Sequence, residues 1–151
     1  MYFIEFNPDL ISSVEVIDIE ILKCHEQVVK DRLDSLKSYL YSLGNDVLVS
    51  SIIVCNKTQT IIDGHHRFQA LRDLGIDKIP VTFINYNSIE IKAYHDERIS
   101  KQEILNASES GNLLPPKSSK HVIYDAKNNE YKPILMLSSI YHFSKKDFII
   151  F

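Results

Sequence analysis

Three stretches of this chain combine residue types and spacings that suit chemistry: Asp63-Gly64-His65-His66-Arg67, His25-Glu26, and Lys117-Ser118-Ser119-Lys120-His121. A β-branched, apolar segment, residues 47–55 and then Thr60, Ile61 and Ile62, precedes the first; Phe68, Leu71 and Leu74 follow it at helical spacing until Gly75. The pattern predicts a strand, a glycine turn and a short helix, with Asp63 at the strand end and Gly64 at the turn. A helix start presents unpaired backbone N–H groups and the positive end of the helix dipole. Arg67 and two imidazoles placed there suit a phosphate. Taken alone, the motif also reads as an acidic N-cap with solvated first-turn side chains.

In the third stretch, Pro115 and Pro116 forbid helix and hold the backbone extended, and the five residues after them carry lysines, two hydroxyls and an imidazole. So many donors on a rigid segment suit phosphate oxygens. The alternative is a solvated basic loop leading into a strand. Glu26 falls at the start of an expected helix, where a glutamate ordinarily favours the dipole by about 0.3–1 kcal/mol.

The elements that must position these residues can be read from periodicity. Residues 14–22 alternate apolar and acidic side chains, the period of a half-buried strand. Val29, Leu33, Leu36, Leu40 and Leu43 then repeat at spacings of four and three until Gly44, which predicts an amphipathic helix of about five turns. Residues 79–86 and 89–94 read as strands joined by a bend at Asn85 and Asn87. Ser100-Lys101-Gln102-Glu103 has the form of a capping box, so a helix is expected over residues 100–109, ended by Gly111. Asn128 and Asn129 lie between two strand-like runs as a hairpin turn. The apolar end, Phe148-Ile149-Ile150-Phe151, is expected to complete a sheet or to meet a partner subunit, as in a homodimer.

With 151 residues, 44% of them apolar, there is enough chain for one compact domain with a real core, expected over residues 1–151. A formal charge of −3 argues against broad electrostatic binding to nucleic acid and leaves room for a local basic pocket. Cys24 and Cys55 sit in apolar segments without metal or redox spacing, as expected of reduced thiols in the cytosol. No basic leader and no apolar run of membrane-spanning length is visible, so a cytoplasmic protein with no membrane partner is expected.

The run from Asp63 through Arg67, continued by Ala70, Leu74-Gly75 and Ile79-Pro80-Val81, resembles the ParB/sulfiredoxin superfamily. The resemblance covers about the first two-thirds of the chain and implies an α+β domain, a mixed sheet packed with helices. Where sulfiredoxins carry their catalytic cysteine, directly before the His-Arg of the turn, this chain has His65, which argues against sulfinic-acid reduction. Together with the later Pro115-Pro116-Lys117-Ser118-Ser119-Lys120-His121 stretch, the turn resembles the free L-serine kinases, which phosphorylate the amino acid itself. In that family a glutamate just before the first long helix acts as the base on the serine hydroxyl. The resemblance places that role on Glu26, in His25-Glu26-Gln27-Val28. The family's arginine before the last histidine is here Lys120, which keeps the charge and loses bidentate geometry.

Phosphoryl transfer to serine needs the phosphate charge neutralised, a divalent cation, and a base within reach of the hydroxyl. On this reading Gly64, His65, His66, Arg67, Lys117, Ser118, Ser119, Lys120 and His121 bind nucleotide phosphate. Glu26 and Asp63 are catalytic, Asp63 holds Mg²⁺, and the partners are ATP or ADP and free L-serine, with no nucleic acid. Walker A and protein-kinase motifs are absent from the sequence. The competing class is a non-catalytic ParB-like switch or regulatory module that binds CTP or ATP; against it stand the acidic charge and the lack of a helix-turn-helix region. A domain that keeps the fold without the site is the remaining alternative.

Overall fold

The computed structural model describes residues 5–144 and 146. The expected apolar terminus, residues 148–151, lies outside them. The architecture is α+β, as expected. Strand β1 (Ile11–Asp18) pairs antiparallel with β5 (Lys78–Ile84), β5 runs parallel to β3 (Ile52–Cys55), and β3 pairs antiparallel with β4 (Ile61–Asp63), giving the mixed order β1-β5-β3-β4. Helix α1 (Lys30–Ser42) precedes this sheet's inner strands, and α2 (His65–Asp73) makes the crossover between β4 and β5. A ribbon of β2 (Asp46–Ser50) with β9 (Ile140–Ser144) and a sheet of β6 (Ile91–Lys92), β7 (Val122–Asp125) and β8 (Glu130–Pro133) complete the strands; α3 is Lys101–Ser110.

The four residues of β3 are all buried because both faces of the sheet are covered. Ile52 and Val54 pack with Leu33, Leu40, Phe68, Leu71 and Val81 under α1 and α2; Ile53 and Cys55 pack on the opposite face with Ile62, Ile84, Ile104, Ile123 and Ile134. A strand covered on both sides reads as a continuous apolar run rather than an alternation, which is how 47–55 reads.

That run breaks at Ser51, where the chain passes from β2 to β3. The Ser51 hydroxyl lies 2.7 Å from Thr82 Oγ1 and accepts from Ser139 N, tying the β2–β9 ribbon to the central sheet. The strand expected over 14–22 starts earlier and stops at Asp18, whose carboxylate accepts Glu20 N and starts a 3-10 turn at Ile19–Ile21. The expected strand at 89–94 shrinks to Ile91–Lys92, leaving Ile89 exposed, because β6 has only the short partner stretch Val122–Ile123. The Ser100–Glu103 capping box, the left-handed Gly111 cap and the Asn128-Asn129 turn are present as expected. Among the described residues no helix is long and apolar enough to cross a membrane.

Candidate active site

Gly64 begins the site. Its φ of +107° is a left-handed conformation, and a Cβ there would stand 2.8 Å from Arg67 Nη2 and 3.0 Å from Ile52 Cδ1. Only glycine serves. Gly64, not Asp63, is the N-cap of α2 and makes no side-chain cap, so the reading of Asp63 as an acidic cap fails. Arg67 folds back over the turn, with Nη2 donating to Ser51 O at 3.2 Å and lying 3.5 Å from Asp63 Oδ2. Its Nε is the only buried side-chain N or O among the described residues without a hydrogen-bond partner.

Glu26 reaches the turn because residues 23–27 run extended between two other segments. Lys23 bonds across to Gln59 O and Ile61 N; two residues on, His25 O accepts Leu114 N, and Gln27 N donates to Leu114 O. The imidazoles of the turn hold the same segment. His65 Nε2 accepts His25 N at 3.1 Å, and His66 Nε2 accepts Val29 N, the N-cap residue of α1, at 2.9 Å. Backbone N–H groups can only donate, so both imidazoles are neutral and carry their proton on Nδ1. Neither Nε2 is left for a phosphate.

Glu26 Oε1 accepts from Ser119 N at 3.0 Å and lies 3.2 Å from the Ser119 hydroxyl. The carboxylate and the loop after the two prolines therefore meet. Ser118 turns away, its hydroxyl donating to Pro115 O at 2.6 Å, and of the expected site residues it is the one that does not line the cavity. The cavity, ≈ 710 Å³, is lined by Glu26, Asp63, Gly64, His65, His66, Arg67, Lys117, Ser119, Lys120 and His121. That volume suits a nucleotide-sized ligand.

Arg32, Leu36, Ile62, Tyr94 and residues 133–135 complete the wall and were not singled out as site residues by sequence. Arg32 and Leu36 are four apart on α1, so helical phase could have found them once Glu26 was placed. Tyr94, the end of the strand expected over 89–94, lies in the structure in the loop after β6.

The electrostatics follow from burial. His25, 0% exposed, is pushed down to about 4 by desolvation, partly offset by its bond to Ile61 O. Desolvation holds His65 and His121 well below the ordinary histidine value, with neighbouring imidazoles adding to it. His66 is lowered by desolvation and then by Arg32 and Lys117. His121 Nε2 lies 2.7 Å from the buried Tyr86 hydroxyl, whose own proton is held on by burial. The site is thus a set of neutral imidazoles rimmed by Arg32, Arg67, Lys117 and Lys120, with Glu26 and Asp63 as its carboxylates.

For Mg²⁺, the described residues offer no group of three or more His, Cys, Asp or Glu able to hold a metal. Asp63, a hard oxygen donor on the cavity wall, fits a cation that arrives with phosphates, since magnesium is usually held by one or two carboxylates plus phosphate and water.

Sequence comparison finds relatives over about half of the chain. A ParB-like protein of Sulfolobus acidocaldarius is 34% identical over 86 residues, 57% of this chain and 42% of that protein. An ATP-dependent L-serine kinase of Staphylothermus marinus is 32% identical over 85 residues, 53% of this chain and 33% of that protein. Among solved structures, a free serine kinase in complex with AMP matches with a TM-score of 0.49 and 24% identity over 62% of this chain and 38% of that one. No protein-family model matches the chain. The resemblance carried by the glycine turn is borne out: L-serine kinases and a ParB-like protein are among its relatives. The chain spans about a third to two-fifths of the length of these curated relatives.

Proposed function

We propose that this chain, folded as a single domain, is a small-molecule kinase that moves a phosphoryl group from ATP or ADP to the hydroxyl of free L-serine, giving O-phospho-L-serine. The observation that carries the reading is that Glu26 and the Gly64–Arg67 turn line one cavity although nearly forty residues separate them in sequence. A phosphate site alone needs no carboxylate beside it. A base for an alcohol does.

On this reading the phosphates lie at the start of α2, against its backbone N–H groups, Arg67, Lys117 and Lys120. Asp63 would hold Mg²⁺ together with the phosphates, and the ion would supply further neutralisation of their charge. Glu26 takes the serine hydroxyl proton on Oε2, the oxygen that Ser119 leaves free. The serine oxygen bonds to the terminal phosphorus as that phosphorus releases its bridging oxygen to the departing nucleotide. Turnover of a mixture of protein, Mg²⁺, nucleotide and a panel of hydroxy amino acids, read by phosphorus NMR, tests the proposal. Phosphoserine supports it; nucleotide binding without any phosphorylated amino acid would replace it with the switch, the reading favoured by the ParB-like relative.

Arg67→Ala is expected to weaken nucleotide binding by about 1.5–3 kcal/mol, the worth of a charge-assisted bond to phosphate. The orphan Nε of Arg67 motivates this. Calorimetry on a variant with a native circular dichroism spectrum checks it, and unchanged affinity removes Arg67 from the site. Nucleotide with Mg²⁺ should also slow amide exchange around residues 117–121, since Lys117, Ser119, Lys120 and His121 line the cavity. Equal exchange with and without ligand would return that stretch to a solvated loop.

A further inference from the structure

Resemblance assigns Ser119 to the nucleotide phosphates, but its geometry points elsewhere. Both its polar hydrogens face a single carboxylate oxygen: the backbone N–H donates to Glu26 Oε1 at 3.0 Å, and the hydroxyl lies 3.2 Å from the same atom. On its other side that hydroxyl lies 3.1 Å from His25 Nε2. The state of His25 is fixed from behind. Its Nδ1 lies 2.7 Å from Ile61 O, an atom that can only accept, so the proton sits on Nδ1 and Nε2 is a bare acceptor. His25 has no exposure to solvent, and burial disfavours a second proton on its ring.

A serine hydroxyl has one hydrogen to donate, and here two acceptors stand at nearly equal distance on either side of it. We propose that Ser119 is a positioning residue for Glu26, its hydroxyl alternating between Glu26 Oε1 and His25 Nε2 as the carboxylate gains and loses a proton. The role rests on the kinase reading. With Glu26 ionised, the Ser119 N–H and O–H both donate to Oε1, which pins that oxygen and turns Oε2 toward the cavity. When the serine hydroxyl proton moves to Oε2, Glu26 becomes a neutral acid and Oε1 a weaker acceptor. The Ser119 hydrogen then swings to His25 Nε2, a buried acceptor that has no donor while that hydrogen serves Glu26. No proton leaves the Ser119–His25 pair, and the transferred proton remains on Glu26 until it departs to solvent.

Ser119→Ala and Ser119→Thr, each alone and the former in the Glu26→Gln background, test this, with phosphoserine formation and nucleotide affinity measured in parallel. Loss of a hydrogen bond to a charged group predicts that Ser119→Ala lowers kcat about tenfold or more. Nucleotide affinity should stay at the wild-type value. Ser119→Thr, which restores a hydroxyl on the same backbone, should recover most of the rate. In the Glu26→Gln background Ser119→Ala should cost nothing further, because no carboxylate remains to position. A loss of nucleotide affinity with kcat unchanged makes Ser119 a phosphate ligand and overturns the proposal. So does a rate loss that Thr does not recover, or one that persists undiminished beside Glu26→Gln. A wild type that makes no phosphoserine overturns the kinase reading and this role together, whereas an active wild type with a fully active Ser119→Ala overturns this role alone.

Discussion

Glu26→Gln should retain nucleotide affinity and lose phosphoryl transfer to serine by about 10²–10⁴-fold, the usual contribution of a positioned general base. The replacement is nearly isosteric. Its amide oxygen can still accept from the Ser119 N–H and hydroxyl, the two donors that meet Glu26 Oε1, so the local backbone has no reason to move. The parallel bridge between residue 26 and Leu114 is main-chain only and is untouched by the change. What disappears is an oxygen basic enough to take an alcohol proton. Nucleotide affinity by calorimetry and phosphoserine by phosphorus NMR, on the same preparations, decide the matter. A Gln variant that turns over at the wild-type rate would make Glu26 a structural carboxylate and pass the role to Asp63, the other carboxylate of the cavity.

Folding stability should fall steeply as the pH drops below about 6.5, where unfolded histidine begins to bind protons. His25, His65 and His121 are all held neutral by burial, His25 down to about 4 and the other two well below the ordinary value. A depressed histidine binds protons more readily in the unfolded chain. Its contribution is therefore fully present above pH 6.5 and is lost as the pH falls through the window toward the folded value. For His25 the loss between pH 6.5 and about 4 comes to about 3 kcal/mol. His65 and His121 act in the same direction, so the loss on acidification is larger than His25 alone would give. Urea titrations at pH 8, 7, 6 and 5 read it directly. A stability that holds level from pH 7 to pH 5 would mean that these imidazoles are not buried as neutral groups.

Much of this arrangement was legible in the sequence because the signals were local. The Asp63-Gly64 turn, the leucine spacing of α1, the Ser100–Glu103 capping box and the Asn128-Asn129 hairpin each depend on residues within a few positions of one another, and each is present. The boundaries that moved did so for tertiary reasons. Ser51 splits an apolar run because its hydroxyl is wanted by both Thr82 and Ser139, partners 31 and 88 residues away. The same limit applies to the site. Residue types pointed to Arg67 and the 117–121 stretch as one chemistry and the family resemblance added Glu26, while the partners of His65 and His66 could not be read. A histidine beside a phosphate turn looks like a ligand until the backbone groups of His25 and Val29 are found on its Nε2. Ser118 and Ser119 are alike in sequence, and only the fold turns one toward Pro115 and the other toward Glu26.

The extended segment of residues 23–27 also orders events during folding. Its contacts span 40 residues from His25 to His65 and 93 from Glu26 to Ser119. Closing the longer loop costs only about 0.7 kcal/mol more than the shorter, because loop entropy grows with the logarithm of length. Sequence separation is thus a small burden on stability, but it still sets the sequence of assembly, since short-range contacts form before distant ones. The glycine turn and the hydrogen bond and ion pair of its arginine draw on Ser51, β3, β4 and α2, all within residues 51–73. Glu26 needs Leu114 and Ser119 as well. A chain emerging from the ribosome therefore has every residue of its glycine turn some fifty residues of synthesis before it has the segment against which Glu26 docks.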